Sequence, residues 1–240
     1  MRFLKKSAYF LLDILFPPRC PFCGEALPPG NLVHKSCEEM LPRVTGDRCR
    51  KCGKPVWPGE KLCLDCAGTE HSYLAGFGVF VYEGVFRDAV LAMKFRGKKE
   101  YARAIGYLTA REALPFLAKY RVELLVPAPM HRKKKRVRGF DQAEELAKHI
   151  SEYTGIPLVT GALVRKEETK AMKELREKER RRNLKGVFSV AKPERIRGRR
   201  IALIDDIYTT GATADACAEA LYRSGAACVV VVTSGTGDDR

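Results

Sequence analysis

At 240 residues with 45% hydrophobic content, the chain has material for one sizeable core plus a small second module, which excludes a disordered or purely linear-motif protein. Its formal net charge of +15, from 44 Lys+Arg against 29 Asp+Glu, points to anionic ligands and argues against cationic ones. No membrane span is expected, because the one apolar stretch near the start, residues 9–16, is too short and contains Asp13.

Taken in chain order, residues 1–18 read as an amphipathic helix. Pro17, Pro18 and Arg19 follow it where a signal peptide needs small residues, so a cytoplasmic location is expected. Residues 19–70 read as a double zinc-binding module. Seven of the nine cysteines fall before residue 67: Cys20 with Cys23, Cys37, Cys49 with Cys52, and Cys63 with Cys66. His34, three residues ahead of Cys37, brings the donor count to eight, the number that two tetrahedral zinc ions require. Pairing in chain order gives one site from Cys20, Cys23, His34 and Cys37 and a second from Cys49, Cys52, Cys63 and Cys66; a cross-braced exchange of pairs stays open. Gly24 and Gly53 permit the tight turn behind each CxxC. With four protein ligands each, both sites are closed and structural. The module has few branched aliphatic residues and many Pro and Gly, so its folding depends on the metal. Cys217 and Cys228 read as small core residues of a helix and a strand.

Residues 75–240 carry 33 basic and 21 acidic residues, net +12, so this part holds the positive field. A buried strand is expected over 122–126, then a basic loop from His131 to Arg138 at the strand end. Asp141 and Glu144 have capping-box spacing, which predicts a helix over about 142–153 with Leu146 and Ile150 inward. Phe140 is the main aromatic beside this loop for stacking on a base, so binding to single-stranded nucleic acid would be mostly electrostatic. Residues 165–185, with Arg180, Arg181, Arg182 and Asn183, are too polar for core. They read either as a charged helix with pairs such as Glu174 and Lys178 or as a mobile flap.

The most informative stretch is residues 200–213, RIALIDDIYTTGAT. An apolar strand ends in Asp205 and Asp206, a loop follows, and a helix over 212–224 stops at Gly225 before another buried strand over 227–233. Ligands of such βαβ units bind beyond the carboxyl ends of the strands. Thr209, Thr210 and Thr213 offer hydroxyls, Gly211 lets the backbone approach closely, and N–H groups at the helix start around Ala212 form a cradle for a 5′-phosphate. Asp205 and Asp206 suit ribose 2′- and 3′-hydroxyls and water-mediated Mg2+, and are the candidate catalytic pair. The ligand that combines these features is phosphoribosyl pyrophosphate. A Walker B strand would look similar, but no GxxxxGK[ST] partner is present.

These residues resemble the type I phosphoribosyltransferase signature. The whole chain is similar to the ComF family through LLDILFPPRCPFCG, the double cysteine module, VPAPMHRKKKRVRGFDQAEELA, ERRRNLKGVF and IALIDDIYTTGAT, in that order. The resemblance implies an α/β type I phosphoribosyltransferase-like parallel sheet with flanking helices over 75–240, after a small zinc-ribbon module. It also implies pyrophosphate contact by the basic loop, with Arg138 the leading residue and Arg132 and Arg136 as others. The family is linked to natural transformation, which implies single-stranded DNA and a helicase-like competence partner. Metabolic phosphoribosyl transfer to an unknown acceptor, or nucleotide sensing by an adaptor, are the alternatives. The sequence departs from the family at Asp141, commonly Asn, at Met172, often Gln, and at His34, frequently Cys. Purine-salvage phosphoribosyltransferases have an Asp three residues after the acidic pair; Thr209 stands there, and a hydroxyl cannot take a purine proton at neutral pH.

Overall fold

In a computed structural model of the chain, residues 17–166, 186–238 and 240 are described. The expected N-terminal helix, save its last two residues, and residues 167–185 of the expected flap lie outside them. So do Met172, the pair Glu174 and Lys178, and residues 180–183.

Two cysteine knuckles open the fold, each followed by a short helix, α1 (Lys35–Glu39) and α2 (Leu64–Ala67). The rest runs β1 (Gly76–Val81), α3 (Gly84–Phe95), α4 (Tyr101–Lys119), β2 (Leu124–Pro127), α5 (Arg132–Arg138), α6 (Gln142–Thr154), β3 (Leu163–Arg165), β4 (Phe188–Val190), α7 (Pro193–Ile196), β5 (Arg200–Tyr208), α8 (Ala212–Arg223) and β6 (Cys228–Thr236). The main sheet is parallel throughout, in the order β1-β6-β5-β2, while β3 and β4 form a separate antiparallel pair.

Both faces of that sheet are covered, which is why its central strands run apolar without alternation over residues 201–204 and 229–232. Ile201 and Leu203 of β5 and Val229 and Val231 of β6 pack on one side, with Cys217 and Leu221 of α8, Phe188 of β4 and the second knuckle. Ala202, Ile204, Val230 and Val232 pack on the other, with Met93 of α3, Ile105 and Leu108 of α4, and Leu146 and Ile150 of α6. Cys217 and Cys228 are buried core residues. β6 extends past the expected end through Ser234 to Thr236, because β1 and β5 flank it to the last residue and the Ser234 hydroxyl bonds Thr109 Oγ1 at 2.8 Å, while Thr109 gives its own proton to the Ile105 carbonyl. The chain is an α/β protein with a parallel sheet, flanking helices and an N-terminal cysteine module.

Three sequence expectations need correction. The basic segment after β2 is not a loop but the seven-residue helix α5. Unbranched Lys and Arg are good helix formers, the His131 side chain accepts the Lys133 N–H, and Gly139 at φ 83° closes the end with its N–H on the Lys135 carbonyl. Phe140 is only 6% exposed, so it is core and no platform for a base. The left-handed turn at Gly139 sends it beneath the helices, among the residues that include Ile105 and Leu146. Asp141 caps α6 by accepting from the N–H groups of Ala143 and Glu144, but the reciprocal half of the capping box does not form. The Glu144 carboxylate is held at 2.7 Å by Lys135 instead. The other Asp141 oxygen accepts the Met130 N–H at 2.9 Å and so fixes the loop after β2. Burial raises the Asp141 pKa.

Candidate functional site

The two cysteine sites are built alike. In each knuckle the first cysteine's carbonyl accepts from the glycine N–H, at 2.9 Å for both Cys20 with Gly24 and Cys49 with Gly53, and both glycines are left-handed. The donor atoms of Cys20, Cys23, His34 and Cys37 lie within 4.8 Å of one another, as do those of Cys49, Cys52, Cys63 and Cys66. The geometry therefore groups the eight donors in chain order. Cys52 Sγ and Cys63 Sγ stand 3.6 Å apart. At the first site His34 Nδ1 is 3.3 Å from Cys23 Sγ, while Nε2 faces the Ala26 carbonyl at 3.1 Å. A carbonyl can only accept, so Nε2 carries the proton and the Nδ1 lone pair faces the sulfurs, the usual arrangement for a metal-binding histidine. The donor set and spacing fit zinc.

A repeat explains the likeness. Adding 29 to Cys20, Cys23, Gly24, Leu27, Pro29, Gly30, His34 and Cys37 gives Cys49, Cys52, Gly53, Val56, Pro58, Gly59, Cys63 and Cys66 without a gap. His34 occupies the position that Cys63 fills in the second copy. Without metal, the thiols of the first site cannot all ionise together. Burial works against Cys20, yet backbone N–H groups of His34, Phe22 and Cys23 bring it down to about 7, whereas burial and the neighbouring Cys23 and Cys20 push Cys37 up to about 12.

The second site of interest lies at the carboxyl end of the sheet. Asp205 and Asp206 are the sixth and seventh residues of β5, and Gly211 is the N-cap of α8 at φ 77°. Asp205, Thr209 and Thr213 line both a small recess and an open cleft. Thr210, Gly211 and Ala212 line the recess, and Asp206 and Arg138 line the cleft. All eight residues singled out from the sequence for this site thus gather in one place. The cleft encloses about 430 Å³, within the usual range for small-molecule sites. Arg138 donates to Gln142 Oε1 and lies over the Phe95 ring at 5.4 Å.

Charge in the cleft is arranged unevenly. Burial and the adjacent Asp206 raise the Asp205 pKa well above the ordinary carboxyl range. Asp206, 6% exposed, is paired by Lys94 Nζ at 2.5 Å. Two neighbouring carboxylates beside an open cleft form an oxygen donor set that suits a hard divalent cation.

Sequence reasoning passed over Lys94, and nothing marks it in the sequence: it is one more basic residue of a helix, brought to the acids only because β1 and α3 pack at the sheet edge. It also passed over Phe95, 66% exposed at the cleft, and Arg165, which lines the same space.

The parallel order β1-β6-β5-β2 and the acidic pair with its threonine-glycine loop define an α/β fold with a candidate ligand site at the carboxyl end of its sheet, behind two cysteine knuckles. Residues 11–67 match the family model described as "Double zinc ribbon domain". Over most of its length the chain is similar to ComF proteins, as the sequence motifs imply. It is 29% identical to "Competence protein ComFC" of Bacillus subtilis, over 85% of this chain and 83% of that protein. It is 28% identical to "Competence protein F" of Haemophilus influenzae, over 86% and 92%. It is 27% identical to "DNA utilization protein YhgH" of Escherichia coli, over 90% and 95%. Among solved structures, glutamine phosphoribosylpyrophosphate amidotransferase from B. subtilis overlays 55% of this chain and 26% of its own at 19% identity and a TM-score of 0.37. Among the described residues no helix is long and apolar enough to cross a membrane.

Proposed function

We propose that the chain binds phosphoribosyl pyrophosphate with Mg2+ in the cleft at the sheet edge and acts on incoming DNA. The observation that carries the ligand reading is that Asp205, Asp206, Thr209 and Thr213 open on one cleft of ligand size. In this reading the carboxylates accept from the ribose 2′- and 3′-hydroxyls, the loop 209–213 cradles the 5′-phosphate, and Lys94 and Arg138 supply positive charge on the pyrophosphate side. Mg2+ would add charge neutralisation at the pyrophosphate and the ribose oxygens. If a nucleophile is present, the bond from ribose C1 to the pyrophosphate oxygen breaks, pyrophosphate leaves with the electron pair, and the nucleophile's pair fills C1.

Calorimetric titration with phosphoribosyl pyrophosphate and Mg2+ tests this on the wild type and on the double variant Asp205→Asn/Asp206→Asn. Two lost hydrogen bonds to charged groups cost about 3–6 kcal/mol, so at least a ~100-fold loss of affinity is expected. Equal affinity in both proteins would remove the site.

The DNA part of the reading draws on the relatives' names and on charge. Arg132, Lys133, Lys134 and Arg136 are exposed along α5, next to the cleft. With Phe140 buried, the exposed aromatic beside α5 is Phe95, which Arg138 already covers, so backbone electrostatics are the main source of affinity in this reading. With about four phosphates neutralised on a single strand, raising salt from about 50 to about 200 mM should weaken binding of a single-stranded oligonucleotide roughly 50-fold. Fluorescence anisotropy over that range checks it, and a salt-insensitive complex would count against it. Trp57, Leu62 and Leu64, exposed on the second knuckle, favour that surface for docking a helicase-like partner.

A further inference from the structure

Between the second cysteine site and the loop 209–213 lies His71, whose side chain is wholly buried and whose sequence context marks it for nothing. Its Nε2 faces Cys66 Sγ at 3.3 Å and the Tyr208 hydroxyl at 3.4 Å, and its Nδ1 lies 2.9 Å from Asp215 Oδ2. A carboxylate can only accept, so Nδ1 donates. Asp215 Oδ1 accepts the Ser72 N–H at 2.8 Å, and Tyr208 and Tyr73 share a hydroxyl hydrogen bond of 2.7 Å while the His71 and Tyr73 rings stack at 5.0 Å. His71 also presses on the loop backbone: a Cβ at Gly211 would stand 2.8 Å from its Cε1.

We infer that His71 is a positioning residue that ties the loop 209–213 to the second cysteine site and holds Asp215 away from the loop's N–H groups. Asp215 lies in the first turn of α8, where a negative side chain is attracted to the same helix start that would receive a phosphate. His71 and Ser72 hold both of its oxygens on the segment joining the ribbon to the sheet. The aspartate is thereby kept from competing with an anion, and the loop gains a rigid floor made by the Cys66 turn. The inference rests on the proposed ligand only for its effect on affinity; the ordering of the loop stands without it.

The test is hydrogen–deuterium exchange of residues 207–215 in the full chain, together with calorimetry using phosphoribosyl pyrophosphate and Mg2+. In His71→Ala, exchange across 209–214 should be at least tenfold faster and affinity roughly tenfold weaker, the scale of one lost hydrogen bond to a charged group. In His71→Asn the side-chain amide replaces Nδ1–H as donor to Asp215 and should restore most of the protection. This variant decides the matter if the alanine protein does not fold. Wild-type exchange in His71→Ala, or exchange across 209–214 in His71→Asn at least tenfold faster than in the wild type, would overturn the inference. A wild type that binds no phosphoribosyl pyrophosphate would sink the ligand reading alone and leave the exchange result to decide this one.

Discussion

Cys49→Ser should lower the thermal midpoint by about 10–20 °C, whereas His34→Ala should lower it by only a few degrees, with each variant retaining one zinc ion per chain. The difference comes from what each site is packed against. Cys49, Cys52, Cys63 and Cys66 belong to the same buried cluster as Leu203 of β5 and Leu221 of α8, and the second knuckle touches β1 so closely that a Cβ on Gly53 would stand 2.6 Å from the Gly76 carbonyl oxygen. Losing metal there opens one face of the main sheet. The first site has a small cluster of its own, with Cys20, Leu27 and Cys37 as its buried members, joined to the main core through the half-buried Phe22 and Val33, so its loss removes far less of the core. Structural zinc supplies on the order of 10 kcal/mol or more, comparable with the whole net stability of a domain. If about 5 kcal/mol of that reaches the core, a protein of this size loses about 2–4 °C per kcal/mol. Differential scanning calorimetry with metal analysis checks both halves. Equal midpoints for the two variants would show that the second knuckle does not support the sheet, and two zinc ions in His34→Ala would remove His34 as a ligand.

Much of this was legible in the sequence because the signals are local. A CxxC followed by glycine has one geometry, and an apolar run ending in two aspartates and TTGAT places a strand, a turn and a helix start within fourteen residues. The 29-residue repeat was also legible and would have assigned His34 by its equivalence to Cys63. What stayed hidden depends on tertiary packing. Lys94 reaches Asp206 across 112 residues and His71 reaches Asp215 across 144, separations at which no spacing rule operates. Residues 131–138 read as a loop because charge suggests solvation, yet solvation does not prevent a helix when a histidine caps one end and a glycine the other. Phe140 misled for the same reason: its basic neighbours are exposed, but the turn at Gly139 reverses the chain and buries the next side chain.

Gly211→Ala should abolish binding of phosphoribosyl pyrophosphate and lower the thermal midpoint by about 5–15 °C, the combined effect of two separable costs. The first is conformational: at φ 77° an alanine adopts the left-handed region at a cost of about 1–2 kcal/mol. The second is steric. The new Cβ would stand 2.3 Å from the Tyr208 hydroxyl, 2.8 Å from His71 Cε1 and 2.9 Å from Tyr208 Cζ. Tyr208 is 3% exposed and bonded to Tyr73, so it cannot swing aside, and overpacking adds about 1–3 kcal/mol. Gly155, the C-cap of α6, separates the two costs, since it has φ 73° and a Cβ added there would meet nothing within 4 Å. Gly155→Ala carries the conformational cost alone and should lower the midpoint by about 2–8 °C with ligand affinity intact. Relief of the clash at Gly211 requires the loop to move away from Tyr208 and His71, which displaces Thr209 and Thr213 with it. Calorimetry on the two variants reads both effects, and a Gly211→Ala protein as stable and as tightly binding as Gly155→Ala would mean that the loop is not held against Tyr208 and His71 at all.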